Sequence, residues 1–313
     1  MMIKLLFLMM LPVIIPATFI GCRFFGVDSG DTSELGRENV KIWKHTPVWD
    51  LALAVKNEDT DKIAKIAKSN PELLNYQEPL YGETLLIWSV GVEKYNSTDT
   101  LLKCGANPNV TTPYGETALF EAAGYSWVDT DAKTDPKYVN LLFKYGADPN
   151  INYSGGEDGN DTEPGTSPLM SSIMCGIEKT KAFVDNGADI NHKTKFFKTA
   201  AVIALMHGSF GTSTLDGLKY AHYLIVEKKA KVTDPYCIWL GNGDNPKEKF
   251  YPVDLLRGWT YPLGSEEYKL KMEIVKEFKR QGIDYWKIKI DKITLKNIKE
   301  QYPNTWKEYI KKY

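Results

Sequence analysis

The chain has 313 residues, 43% hydrophobic and 25% charged, an ordinary globular composition long enough for two compact domains or one elongated array. A net charge of −1 argues against a general nucleic-acid binder, which carries a basic excess. The charge is uneven: residues 106–166 hold ten acidic and three basic side chains, and residues 269–313 hold thirteen basic and six acidic ones. This reads either as a dipole that orients near a charged partner or as two differently solvated ends.

The N-terminus reads MMIKLLFLMMLPVIIPATFIGC. Lys4 supplies a positive start, and Leu5 to Ile15 form an apolar run too short to span a bilayer, interrupted by Pro12 and Pro16. Phe19-Ile20-Gly21-Cys22 then resembles the lipobox of bacterial lipoproteins, with Phe19 where that family usually has Leu. The resemblance implies a signal peptide over 1–21, acylation of Cys22, and a chain tied to a membrane outside the cytoplasm by two or three acyl chains. An uncleaved anchor helix is the alternative. Arg23 stands where Asp would favour inner-membrane retention, so the expected place is the periplasmic side of the outer membrane. Residues 22–45, with Gly26, Ser29, Gly30, Ser33 and Gly36, read as a flexible tether.

From residue 46 onward the chain repeats itself. Gly82-x-Thr84-Leu85-Leu86 recurs 33 residues later as Gly115-x-Thr117-Ala118-Leu119, then as Gly165-x-Ser167-Pro168-Leu169 and in weaker form at Lys198-Thr199-Ala200-Ala201. Gly-Ala-Asn/Asp-x-Asn occurs at 105–109, 146–150 and 187–191. Thr84, Thr117, Ser167 and Thr199 stand where a hydroxyl caps free N–H groups at a helix start. Ser89-Val90, Ala122-Ala123 and Ser172-Ile173 are small enough to let neighbouring helices approach closely. Short amphipathic stretches follow: DTLLKC, PKYVNLLFKY, IEKTKAFVDN and LKYAHYLIVEK. Gly105, Gly146 and Gly187 end these helices where φ is positive. The Asn two or three residues later starts the loop and is expected to bond local backbone.

A period of about 33 with these marks is similar to the ankyrin repeat family. The resemblance implies an all-α solenoid of about six helix-turn-helix units with β-turn loops over 46–288, roughly 46–79, 80–113, 114–165, 166–198, 199–250 and 251–288. The outer units are degenerate. Val48 to Ala54 with Leu73-Leu74-Asn75 begin the array, Lys229 replaces Gly at 229–233, and a long second helix over 266–281 ends before Gly282. Where the family has His after Thr-Pro-Leu, this chain has Ala52, Ile87, Phe120, Met170, Val202 and Asp254. Residues 289–313 read as a cap of two short helices broken at Pro303, with Asn304 as N-cap.

Little points to catalysis. His45, His192, His207 and His222 share no metal-ligand spacing, and His207 is placed in an inter-helix turn. No Gly-x-Ser-x-Gly, phosphate-cradling Gly loop or His-Glu-x-x-His is present. Cys104, Cys175 and Cys237 lie far apart and read as packing residues. No catalytic residue, metal or cofactor is expected. Glu157, Asp158, Asn160, Asp161 and Glu163 crowd one loop, as a solvated acidic segment or a calcium site of incomplete pattern. Loops 125–136, 154–165 and 234–250 are long, and an unrecognised enzyme site would lie in the last two.

The resemblance therefore implies binding of another protein by a monomer, through loop tips and the first-helix face. The tip residues are Tyr76, Tyr81, Thr111, Thr112, Tyr114, Tyr153, Phe196 and Phe197. Each ring either anchors a partner or packs on its neighbouring loop. Trp88 and Trp127 either join the same face or lie in the core. The function expected is an envelope interaction module that neutralises a bound protein, or alternatively an envelope scaffold.

Overall fold

A computed structural model describes residues 35–155, 162–209, 214–238 and 248–313. The signal-peptide reading of 1–21, the lipidation of Cys22 and the acidic run 156–161 lie outside the described residues. Among those described, no strand forms, and extended pairing is limited to isolated bridges between Tyr125 and Ala132 and between Tyr236 and Phe250.

Helices follow one another in pairs. They are α1 (Trp49–Lys56) with α2 (Thr60–Ser69), α3 (Leu85–Gly91) with α4 (Tyr95–Lys103), and α5 (Ala118–Ala123) with α6 (Lys137–Lys144). Next come α7 (Pro168–Ser171) with α8 (Ile177–Asp185), α9 (Ala200–Ser209) with α10 (Thr214–His222), and α11 (Pro252–Gly258) with α12 (Glu266–Arg280). The first helices touch in sequence, α1 to α3 to α5 to α7 to α9 to α11. The second helices form another row, α2 to α4 to α6 to α8, with α10 against α12. One apolar core runs the length of the stack, from Val40 to Tyr285.

Local chemistry sets where these helices begin. The hydroxyls of Thr84, Thr117, Ser167 and Thr199 accept from the N–H groups of Ile87, Phe120, Met170 and Val202 at 3.1 to 3.3 Å. Each satisfies a donor that the helix itself leaves free. The small hydroxyl residues also join the two helices of a pair: Ser89 to Thr98 and Ser172 to Thr180, both at 2.9 Å.

The helix ends are equally regular. Gly105, at φ +100°, donates to Leu102 O while Ala106 donates to Leu101 O, both at 3.0 Å. The same two-bond closure recurs at Gly146, Gly187 and Gly282. It satisfies the last carbonyls and requires a left-handed residue. Where Lys229 replaces glycine it still adopts φ +62°, and α10 runs on through a π-helical turn, Tyr223–Glu227, before closing.

The residue two places after each glycine bonds local backbone, as expected of Asn107. Local bonding belongs to the third position: Asn107, Asp148 and Asp189 accept from the N–H groups of Asn109, Asn150 and Asn191. The closing residues reach forward to the next pair instead. The Oδ1 atoms of Asn75, Asn109, Asn150 and Asn191 accept from Asn107, Asp148, Asp189 and Lys231, each at 2.8 Å. The motif thus both turns the chain and couples neighbours.

Three readings are corrected. The segment 35–45 is no free tether: Val40 to Trp43 form a 3-10 turn whose Val40, Ile42 and Trp43 are buried in the core. His207 lies inside α9, since that helix runs to Ser209. After α13 (Lys292–Gln301) the chain breaks at Tyr302 as expected, but α14 (Trp306–Tyr309) begins from Thr305, and Asn304 does not cap it. These last two helices carry a small core of their own, Ile298, Tyr309 and Tyr313.

Candidate interaction surface

The loops between pairs are braced into tight tips. Backbone bonds of 2.9 Å close them, from Glu78 N to Glu83 O, Thr112 N to Glu116 O, and Thr194 N to Lys198 O. A buried side chain then satisfies the inner N–H groups. The Glu78 carboxylate accepts from Leu80, Tyr81 and Glu83, and the Thr112 hydroxyl from Tyr114 and Glu116. Glu163 braces the next tip, accepting from Phe196 N at 3.0 Å, Lys198 Nζ at 2.6 Å and the Thr194 hydroxyl. Its carboxylate is therefore occupied within the tip.

Glycine shapes three of these tips. Gly82, Gly115 and Gly165 have φ between +72° and +87°. A Cβ on Gly115 would also lie 2.8 Å from Asn152 O, so the following loop presses directly on it. The corresponding place in the fourth tip holds Phe197, at φ +63°, with its side chain outward and 54% exposed. A bulky residue in the left-handed region is strained unless its surroundings hold it there.

The residues expected to bind a partner are not all on the surface. Tyr114 and Phe197 are exposed. Tyr76, Tyr81 and Thr111 are half-buried. Thr112, Tyr153 and Phe196 are buried, so they are not anchors as the chain stands. Thr112 braces its tip, and Tyr153 stacks on Phe120 with centroids 5.9 Å apart. Sequence reasoning missed Leu80, 52% exposed in the turn before Gly82. Its position in the tip, rather than its aromaticity, was the available signal.

Sequence reasoning also missed a charged cluster on the first-helix face. Arg37 reaches across from the N-terminal segment. Its Nε donates to Glu83 Oε1, and its Nη2 donates to Glu116 at 3.1 Å and Glu121 at 3.2 Å. Its guanidinium carbon sits 4.4 Å from the centroid of the Trp127 ring. Trp127 Nε1 donates to Glu121 Oε2 at 2.9 Å, and Trp88 Nε1 donates to Arg37 O at 3.0 Å. Both tryptophans therefore line this face, Trp88 buried and Trp127 half-buried. Burial pushes Glu83 up to about 8 against the pull of Arg37, and it raises Glu121 as well. Burial opposes the charge on Arg37, and the carboxylates of Glu121, Glu83 and Glu116 outweigh it. The arrangement holds one guanidinium among three carboxyl groups.

Nothing similar converges for catalysis among the described residues. Among the described residues no three His, Cys, Asp or Glu side chains gather as a metal group. His222 bonds Glu273 at 2.6 Å between α10 and α12, and His192 meets Gly165 O at 2.8 Å, both as links between elements. Cys104, Cys175 and Cys237 are free thiols. No helix among the described residues is long and apolar enough to cross a membrane.

No family model matches the chain. Over 77 residues it is 31% identical to a protein of Acanthamoeba polyphaga mimivirus that is named for ankyrin repeats. That stretch is 25% of this chain, and it spans 46% of the viral protein, less than half its length. The similarity supports the ankyrin-repeat resemblance over part of the chain and agrees with the all-helical architecture.

Proposed function

We propose that the protein is a protein-binding module, an ankyrin-type solenoid of six units over 46–288 closed by the helices of 289–313. The observation that carries this reading is the fourth tip. Phe197 occupies, at a cost in backbone strain, the place that glycine fills in the other tips, and it exposes its ring. Leu80 and Tyr114 are exposed on earlier tips. Rigid apolar side chains on braced turns suit a protein partner, because little conformational freedom is lost on binding.

The lipobox resemblance at Cys22 supports tethering to a bacterial envelope, with neutralisation of a bound protein as the role that best joins tether and tips. Affinity capture from native envelope with the full chain tests this. One protein should be enriched, and lost when Leu80, Tyr114 and Phe197 are changed together to Ala. Enrichment of nothing would remove the main support. Replacing Cys22 with Ser should abolish incorporation of labelled fatty acid and release the chain from the membrane.

A further inference from the structure

The cluster around Arg37 has the form of a bound ligand rather than of an ordinary surface ion pair. The segment enters as a tight turn, closed by Asn39 N donating to Gly36 O at 3.0 Å. Its backbone is read at alternate residues: Tyr81 Oη donates to Leu35 O and Trp88 Nε1 to Arg37 O, both at 3.0 Å. Between these contacts one side chain inserts. Its guanidinium meets three carboxylates and lies over Trp127. Two carbonyl contacts thus fix a turn that inserts one side chain.

The pocket also discriminates between basic side chains. Nε and Nη2 address different carboxylates, which the planar fork of arginine allows and the point charge of lysine does not. Stacking on Trp127 favours guanidinium for the same reason. A single cation faces three acids, and Glu83 Oε2 is buried without a hydrogen-bond partner. The pocket is therefore complementary to one guanidinium.

We infer that Glu83, Glu116, Glu121 and Trp127 form an arginine receptor, filled in cis by Arg37, which an arginine-bearing turn of the partner protein enters by displacing Leu35–Arg37. This rests on the interaction reading above and names the partner's chemistry. The cis residue acts as a tethered competitor at high effective concentration, so it weakens binding in trans without removing it.

The test uses the full chain and a labelled peptide, acetyl-Leu-Gly-Arg-Glu-amide, which copies residues 35–38. Fluorescence anisotropy should show the Arg37→Ala chain binding it at least tenfold more tightly than wild type does. The lysine peptide should bind at least tenfold more weakly than the arginine peptide, and the citrulline peptide should not bind. Changing Glu116 and Glu121 to Gln in the Arg37→Ala background should abolish binding. Equal binding of arginine and citrulline peptides, or binding of neither, overturns the inference.

A second measurement needs no loss of Arg37. In the wild-type chain the NMR signal of the Arg37 Nε–H should shift toward that of a free guanidinium as peptide is added. An unmoved signal at millimolar peptide overturns the inference independently. Failure here leaves the tip reading intact if envelope capture persists. Loss of capture with peptide binding intact overturns the tip reading alone.

Discussion

At the scale of single residues, the left-handed positions separate structural from functional need. Gly105 sits at φ +100° with nothing within 4 Å of where a Cβ would be, so Gly105→Ala tests backbone conformation alone. It should cost about 1–2 kcal/mol in urea denaturation. Phe197 presents the opposite case. Phe197→Gly relieves left-handed strain of about 1–2 kcal/mol, and the added freedom of glycine in the unfolded chain takes back about 0.5–1. The variant should be equal to wild type or up to about 1.5 kcal/mol more stable, while partner capture falls. Destabilisation would mean the ring is structural, and the functional reading of that tip would fail. These positions also show what the sequence disclosed. The caps at Thr84, Thr117, Ser167 and Thr199 were legible because each acts within three residues. Arg37 was not: its partners lie 46 to 84 residues away, and a lone arginine after Gly36 looks like any tether residue.

At the scale of elements, the repeated letters located the helix pairs, since periodicity and stop signals are local properties. They did not reveal which tip rings turn inward. Tyr153 and Tyr114 look equivalent in sequence, yet Tyr153 is covered by Phe120 and the returning loop whereas Tyr114 stays outside. The forward reach of the closing Asn was likewise hidden, because a side chain that bonds its own turn and one that bonds the next unit leave the same sequence mark. Asn109 makes the difference measurable. Its Oδ1 accepts from Asp148 N at 2.8 Å and its Nδ2 donates to Gly146 O at 3.0 Å. Asn109→Ala removes both links and should cost about 1–2 kcal/mol, since each net bond contributes about 1. In a stack where each unit contacts only its neighbours, weakening one junction should also reduce cooperativity, seen as a lower urea m-value. An unchanged midpoint and slope would show that apolar packing alone couples these units.

At the scale of the whole molecule, two buried ionisable groups far apart in the stack give opposite responses to pH. Near the N-terminal end, Glu83 has its pKa raised from 4.5 to about 8, chiefly by burial. Between those values the folded chain holds a proton that the unfolded chain does not, so this contribution to stability is lost as pH rises through 8. At the other end Lys271 is buried, donates to Trp259 O at 2.6 Å, and faces Arg257, Tyr285 and Tyr313 with no carboxylate bonded to it among the described residues. Burial first, then Arg257, holds its pKa well below 10.5. In that window the unfolded chain binds the extra proton, so stability rises with pH. Hydrogen exchange corrected for intrinsic rates should therefore show α3 and α5 loosening from pH 6 to pH 9 while α11 and α12 tighten. Glu83→Gln keeps an oxygen for Arg37 and should abolish the first trend, adding on the order of 2 kcal/mol at pH 9 and little at pH 5. Lys271→Met should abolish the second trend and stabilise the chain most at low pH. If both ends moved in the same direction, or if either variant left its own end's trend unchanged, buried Glu83 and Lys271 would not be the groups that set the response.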